Sequence, residues 1–124
     1  MATLTPTLTL SSTNLTSDSL GLTVTDSLDI AGDFKSSKII IATGTNNGVS
    51  IIPTSYNKCY VYAKNTDSSI SFTLGPDNDG TADWMILAPG EWAFFPWDGS
   101  VELFANATSG TTAVLEYMIF EATA

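Results

Sequence analysis

Histidine and arginine are absent from the 124 residues, cysteine occurs once and lysine only four times. Histidine is the one side chain whose unperturbed pKa lies near neutrality, so its absence rules out a serine or cysteine triad with an imidazole base within one chain. One cysteine and no histidine leave no zinc ligand set, and no glycine-rich phosphate loop occurs, so no cofactor and no metal are expected. Cys59 cannot form an internal disulfide. The basic residues that would grip a phosphate backbone are reduced to Lys35, Lys38, Lys58 and Lys64, scattered along the chain, which excludes nucleic acid as a partner. Thirteen acidic residues bring the formal net charge to −9. That balance argues against anionic membrane surfaces and keeps an otherwise apolar, Ser/Thr-rich particle in solution. Long hydrophobic runs are missing as well. The richest stretch, Trp84 to Trp97, is interrupted by Pro89, Gly90 and Glu91 and is too short to span a bilayer, and the opening residues lack the basic and apolar regions of a signal peptide. A soluble protein made in a cytoplasm is expected.

Among enzyme classes only a paired-carboxylate hydrolase stays open, with Glu91, Glu102 and Glu116 as candidates, and the expectation is that the chain is not an enzyme. The run Asp77-Asn78-Asp79-Gly80 has the closely spaced oxygens of a calcium loop. Gly75 and Ile86 stand where the first and last ligands of an EF-hand belong, so a plain turn is the expected reading. Asn14-Leu15-Thr16 and Asn106-Ala107-Thr108 match the glycosylation sequon; with no secretory signal expected, chance matches are the expected reading.

What is present is a period of two along nearly the whole chain, the period of strands. Leu4, Leu8 and Leu10 share one parity and Thr3, Thr5, Thr7 and Thr9 the other; Leu20, Leu22 and Val24 repeat the pattern beyond the turn formers Ser11 to Asn14. These runs predict a hairpin-like Thr/Leu arm over 1–31, joined through the polar stretch Gly32 to Lys38 to a body over 32–124, in a single domain overall. Ile39-Ile40-Ile41-Ala42 reads as a strand buried on both faces. Asn47-Gly48 signals a hairpin turn into Val49 to Ile52. Alternation sets Cys59, Val61 and Ala63, as core, against Tyr60 and Tyr62; Ile70, Phe72 and Leu74 oppose Ser69, Ser71 and Thr73 in a half-buried strand. Strands follow over 83–88, 91–95, 100–106 and 112–121, and Pro89-Gly90 favours a type II turn, a corner rather than a flat hairpin. Eight to ten short strands indicate an all-β antiparallel sandwich, jelly-roll-like in connection, with an immunoglobulin-like one as the alternative. The missing Cys-Trp-Cys framework favours the jelly roll.

The excess lies in aromatic residues. Trp84, Trp92, Phe94, Phe95, Trp97 and Phe104 crowd one segment, and alternation places Trp92 with Phe94 on one strand face and Phe95 with Trp97 on the other. One face can fill the core; the other needs cover, which marks an interface. Trp84, Trp92, Phe95, Trp97 and Phe104, together with Leu4, Leu8 and Leu10 of the arm, are the candidate protein-interface residues. A tryptophan platform for carbohydrate is the rival reading. The closing strand repeats the division, Leu115, Tyr117 and Ile119 against Val114, Met118 and Phe120.

The opening Ala2-Thr3-Leu4-Thr5-Pro6-Thr7-Leu8-Thr9-Leu10 with Leu22-Thr23-Val24-Thr25-Asp26-Ser27-Leu28, then Tyr60-Val61-Tyr62-Ala63-Lys64-Asn65-Thr66-Asp67 and Leu87-Ala88-Pro89-Gly90-Glu91-Trp92-Ala93-Phe94-Phe95-Pro96, resembles small structural proteins of tailed bacteriophages, especially phages of marine bacteria and cyanobacteria. The resemblance spans most of the chain. It implies a virion component, assembled in the host cytoplasm: a cement or decoration protein on the major capsid protein or another virion protein, with a tail or head fibre as the neighbouring possibility. It carries no site residue over. A homo-oligomer is expected because the arm and the second aromatic face both need cover, and analogy with decoration proteins makes it a trimer.

Overall fold

A computed structural model describes residues 2–15, 19–44, 47–52, 58–78 and 84–122, without the side chains of 32–34. Eleven strands and no helix are found among them: β1 (Ala2–Leu4), β2 (Thr7–Ser12), β3 (Leu20–Thr25), β4 (Leu28–Ile41), β5 (Val49–Ile52), β6 (Cys59–Asn65), β7 (Phe72–Gly75), β8 (Met85–Leu87), β9 (Trp92–Trp97), β10 (Leu103–Ala107) and β11 (Ala113–Ala122). They form an antiparallel β-sandwich, as the period of two predicts. One sheet runs β1-β4-β11-β6-β9 and the other β5-β10-β7-β8, while β2 and β3 pair separately as a two-stranded ribbon.

The core lies between the two larger sheets. Cys59, Val61 and Ala63 of β6, Leu115, Tyr117 and Ile119 of β11, and Ile41 of β4 point inward from the first sheet; Ile51, Ile52, Phe72, Leu74, Leu87, Leu103 and Ala105 meet them from the second. Both alternations read from β6 and β11 hold. Cys59 is a fully buried small core residue, its Sγ 3.8 Å from the Trp97 carbonyl oxygen.

Three expectations are corrected. Ile40 is 65% exposed, so Ile39-Ile40-Ile41 is covered on one face only, because the outer face of the five-stranded sheet at β4 is open. The Asn47-Gly48 turn does not make a hairpin, since β4 and β5 lie in different sheets. That link crosses the sandwich instead: Gly48 N donates to Asn78 O at 2.9 Å, and an added Cβ there would stand 2.8 Å from the Asn78 backbone. Thr45 and Asn46 of that turn lie outside the described residues. Thr73 is buried rather than half-exposed, because β7 is an interior strand that sets it between Asn106 and Ile86 of its neighbours.

The Pro89-Gly90 corner stands as read. Glu91 N donates to Ala88 O at 2.9 Å with Gly90 at φ 84°, the positive φ that a type II turn requires at its third position. The turn carries the chain from β8 in one sheet to β9 in the other. Glu91 Oε2 also accepts from Ala88 N at 2.8 Å.

At the other end β1 and β4 continue into β2 and β3 in one unbroken register, Leu4 opposite Leu28 and Thr7 opposite Thr25. The ladder is interrupted only around Thr5-Pro6 and Asp26-Ser27, where Pro6 has no N–H to give. The polar stretch Gly32 to Lys38 runs inside β4.

Candidate binding groove

On the five-stranded sheet β9 is the edge strand beside β6, and their register sets outward-facing residues side by side: Lys64 opposite Trp92, Tyr62 opposite Phe94, Tyr60 opposite Pro96. Inward positions of β9 face the core, where Trp97 is 8% exposed and Phe95 packs against it. The outward ones are left open, Trp92 at 56% exposure. Tyr60 and Phe94 lie nearly parallel, planes 4° apart and centroids 6.4 Å apart. Lys58 Nζ sits 5.4 Å from the centre of the Tyr60 ring, a cation over an aromatic face. Burial, and then the nearby Glu116 carboxylate, raise the pKa of Tyr62 and keep its phenol protonated.

The base of the arm forms the opposite wall. Leu4, Pro6, Leu8, Val24 and Leu28 face Tyr60, Tyr62, Trp92, Phe94 and Pro96 across a groove of about 680 Å³. Its charged lining residues are Lys58 and Asp26; the Asp26 carboxylate accepts from Ser27 N at 2.7 Å. Beyond the groove the same face turns polar, with Glu116 of β11 in register between Lys38 and Lys64.

A second, smaller cavity of about 420 Å³ opens at one end of the sandwich, lined by Trp84, Phe95, Trp97, Val101 and Leu103 with Asp98 among them. Trp84 is 66% exposed and leans on Trp97, ring centres 5.0 Å apart. The Trp97 indole N–H donates to Val101 O at 2.7 Å. A hydrogen bond from Ser100 N holds the Asp98 carboxyl below its usual range, so it stays charged.

The candidate interface residues therefore divide. Trp92, Leu4 and Leu8 line the groove, and Leu10 continues the aliphatic face of the arm. Trp84, Phe95 and Trp97 gather at the second cavity, the last two turned inward, and half-buried Phe104 lies in β10 of the other sheet. Tyr60, Tyr62, Phe94 and Pro96 were not among the candidates although they make the aromatic wall. Their alternation was visible, but the pairing of β6 with β9 that brings them together was not.

The candidate carboxylates stand on separate elements, Glu91 at the corner before β9, Glu102 just before β10, and Glu116 within β11 between its two lysines. Of the possible calcium loop, Asp79 and Gly80 lie outside the described residues. Asn106 of the second sequon is buried, its Nδ2 donating to Asp77 O at 3.4 Å, while Thr16 of the first lies outside the described residues. No protein-family model matches the chain, and no curated protein matches it either.

Proposed function

We propose that this chain is a virion structural protein of a tailed phage, a capsid decoration or cement protein that binds the major capsid protein through its aromatic groove and stabilises the head. The observation that carries the reading is the open aromatic wall of β6 and β9 beside the aliphatic arm, on a chain of net charge −9. Apolar surface of this kind on an acidic, otherwise well-solvated particle is the usual mark of a protein contact. The resemblance to small phage structural proteins supplies the virion. In this reading the sandwich is of the jelly-roll type, supported by the lack of a Cys-Trp-Cys framework. A ligand that binds only the assembled shell stabilises it by mass action, about 2.7 kcal/mol per site at a hundred times its dissociation constant, so modest affinity repeated over many sites suffices. Electron microscopy of the purified protein mixed with undecorated heads tests the idea: regular added density on the shell is expected, and bare shells at every salt concentration would sink it.

The second reading is a carbohydrate-binding module of a tail or head fibre. Exposed Trp92 beside Phe94 and Tyr62 favours it, because flat rings on one strand face can stack on a sugar. A glycan array separates the two. A reproducible sugar whose binding is lost in Trp92→Ala selects the fibre, and a blank array selects the protein contact.

A further inference from the structure

The β2–β3 ribbon has one aliphatic face, Leu8, Leu10, Leu20, Leu22 and Val24, and one hydroxyl face formed by Thr7, Thr9, Thr23 and Thr25. All five aliphatic residues are exposed, Val24 at 52%. A two-stranded ribbon is marginal in water by itself, so this one needs cover. Its natural counterpart already stands across the groove, where Leu8 and Val24 face Tyr60 and Phe94 without filling the space between.

We propose that copies of this chain assemble by arm exchange: the β2–β3 ribbon of one copy lies with its aliphatic face on the β6–β9 aromatic wall of a second copy. The surfaces that would meet between chains are the ones that face each other within one chain, which makes the contact self-complementary. The hinge for the exchange is the interruption at Thr5-Pro6 and Asp26-Ser27, bridged by a single backbone hydrogen bond from Asp26 N to Pro6 O at 3.2 Å. Charge singles out the same occupant. Of the ionisable side chains that give the chain its net −9, only Asp18 falls between Ala2 and Thr25, so the arm is the part of the surface that another acidic copy can approach without repulsion. Each copy gives an arm and receives one, so every copy buries both surfaces. A reciprocal pair and a ring of three passing arms in one direction make the same contact. The inference does not depend on the virion reading, because it concerns the free protein; a capsid subunit bound at the same wall would take the place of the second copy's arm.

Two measurements on the full chain test it. Sedimentation velocity is expected to show an oligomer for the wild type and a 13.1 kDa monomer for the Leu10→Asp/Leu22→Asp variant, whose association weakens about a hundredfold or more because two carboxylates would have to enter an apolar contact. Both positions are exposed, so the variant keeps its fold, which circular dichroism checks. In a Cys59→Ala background, mixing a Val24→Cys chain with a Phe94→Cys chain is expected to give a disulfide-linked heterodimer on mild oxidation, a product that only contact between chains can form. A wild type that stays monomeric at every concentration overturns the proposal. So does an oligomer that survives the double substitution, or one that yields no heterodimer.

Discussion

Asn65 is fully buried at the end of β6, where the two sheets are tied together. Its Nδ2 donates to Ile70 O at 2.8 Å and to Leu87 O at 2.9 Å, and its Oδ1 accepts from Asp67 N at 2.9 Å. Its backbone holds the corner from below, N donating to Glu91 O at 2.9 Å and O accepting from Gly90 N at 3.0 Å. Asn65→Leu keeps the branched four-atom outline and the backbone bonds but strips all three side-chain bonds, taking a donor from two carbonyls and an acceptor from one amide. A buried polar group without a partner costs about 1–3 kcal/mol, and since the Ile70 and Asp67 bonds are only partly buried the expected loss is about 3–5 kcal/mol. That is a large share of the roughly 5–15 kcal/mol that holds a domain folded. Urea unfolding followed by tryptophan fluorescence measures it: the midpoint falls while the slope stays the same. A loss below about 1 kcal/mol would refute the assignment of Asn65 as the tie between the sheets.

Trp97→Ala, at a candidate interface residue whose ring lies in the core, is expected to cost about 3–5 kcal/mol in the same assay. Trp92→Ala, on the open wall, is expected to change stability by no more than about 0.5 kcal/mol. Burial, and then the carboxylates of Glu121 and Asp98, push the Cys59 thiol up to about 11, so it should resist iodoacetamide at neutral pH until urea unfolds the chain. Because the folded thiol holds its proton more tightly than the unfolded one, its contribution to stability is complete below the unfolded value of 9.0 and is lost as pH rises towards about 11; a Cys59→Ala chain should lose stability less steeply over that range, keeping the part that Tyr62 contributes. Asp67 and Asp98 run the other way. Backbone donors, Ser69 and Ile70 for the first and Ser100 for the second, lower both carboxyls, so their contribution is present above the unfolded value of 3.8 and is lost as pH falls through the lower folded values. The double variant Asp67→Asn/Asp98→Asn should flatten the acid side of the stability curve.

The sheet faces were legible where one side of a strand meets the core and the other meets water, as at Cys59-Tyr60-Val61-Tyr62-Ala63 and along β11. Ile40 shows where that signal fails. Three isoleucines in a row read as doubly buried, yet nothing in a linear pattern tells a covered sheet face from an open one. The corner at Pro89-Gly90 was legible because one backbone requirement, a positive φ at the third turn position, selects glycine. The tie at Asn65 was not, because a single asparagine carries no pattern; its role comes from Ile70 and Leu87, which only the closed sandwich brings to it. The groove fell in between. Its arm wall was visible as alternating Thr and Leu, and its aromatic wall needed the pairing of two strands nearly thirty residues apart in the chain.

Quantitative co-sedimentation with undecorated phage heads tests the central claim, that the open aromatic wall is where this protein holds another protein. Wild type should saturate the shell, and Trp92→Ala, folded as before, should bind about tenfold more weakly or worse, since a buried aromatic anchor is worth about 2 kcal/mol or more. Equal binding by the two proteins, or none by the wild type, would contradict the account.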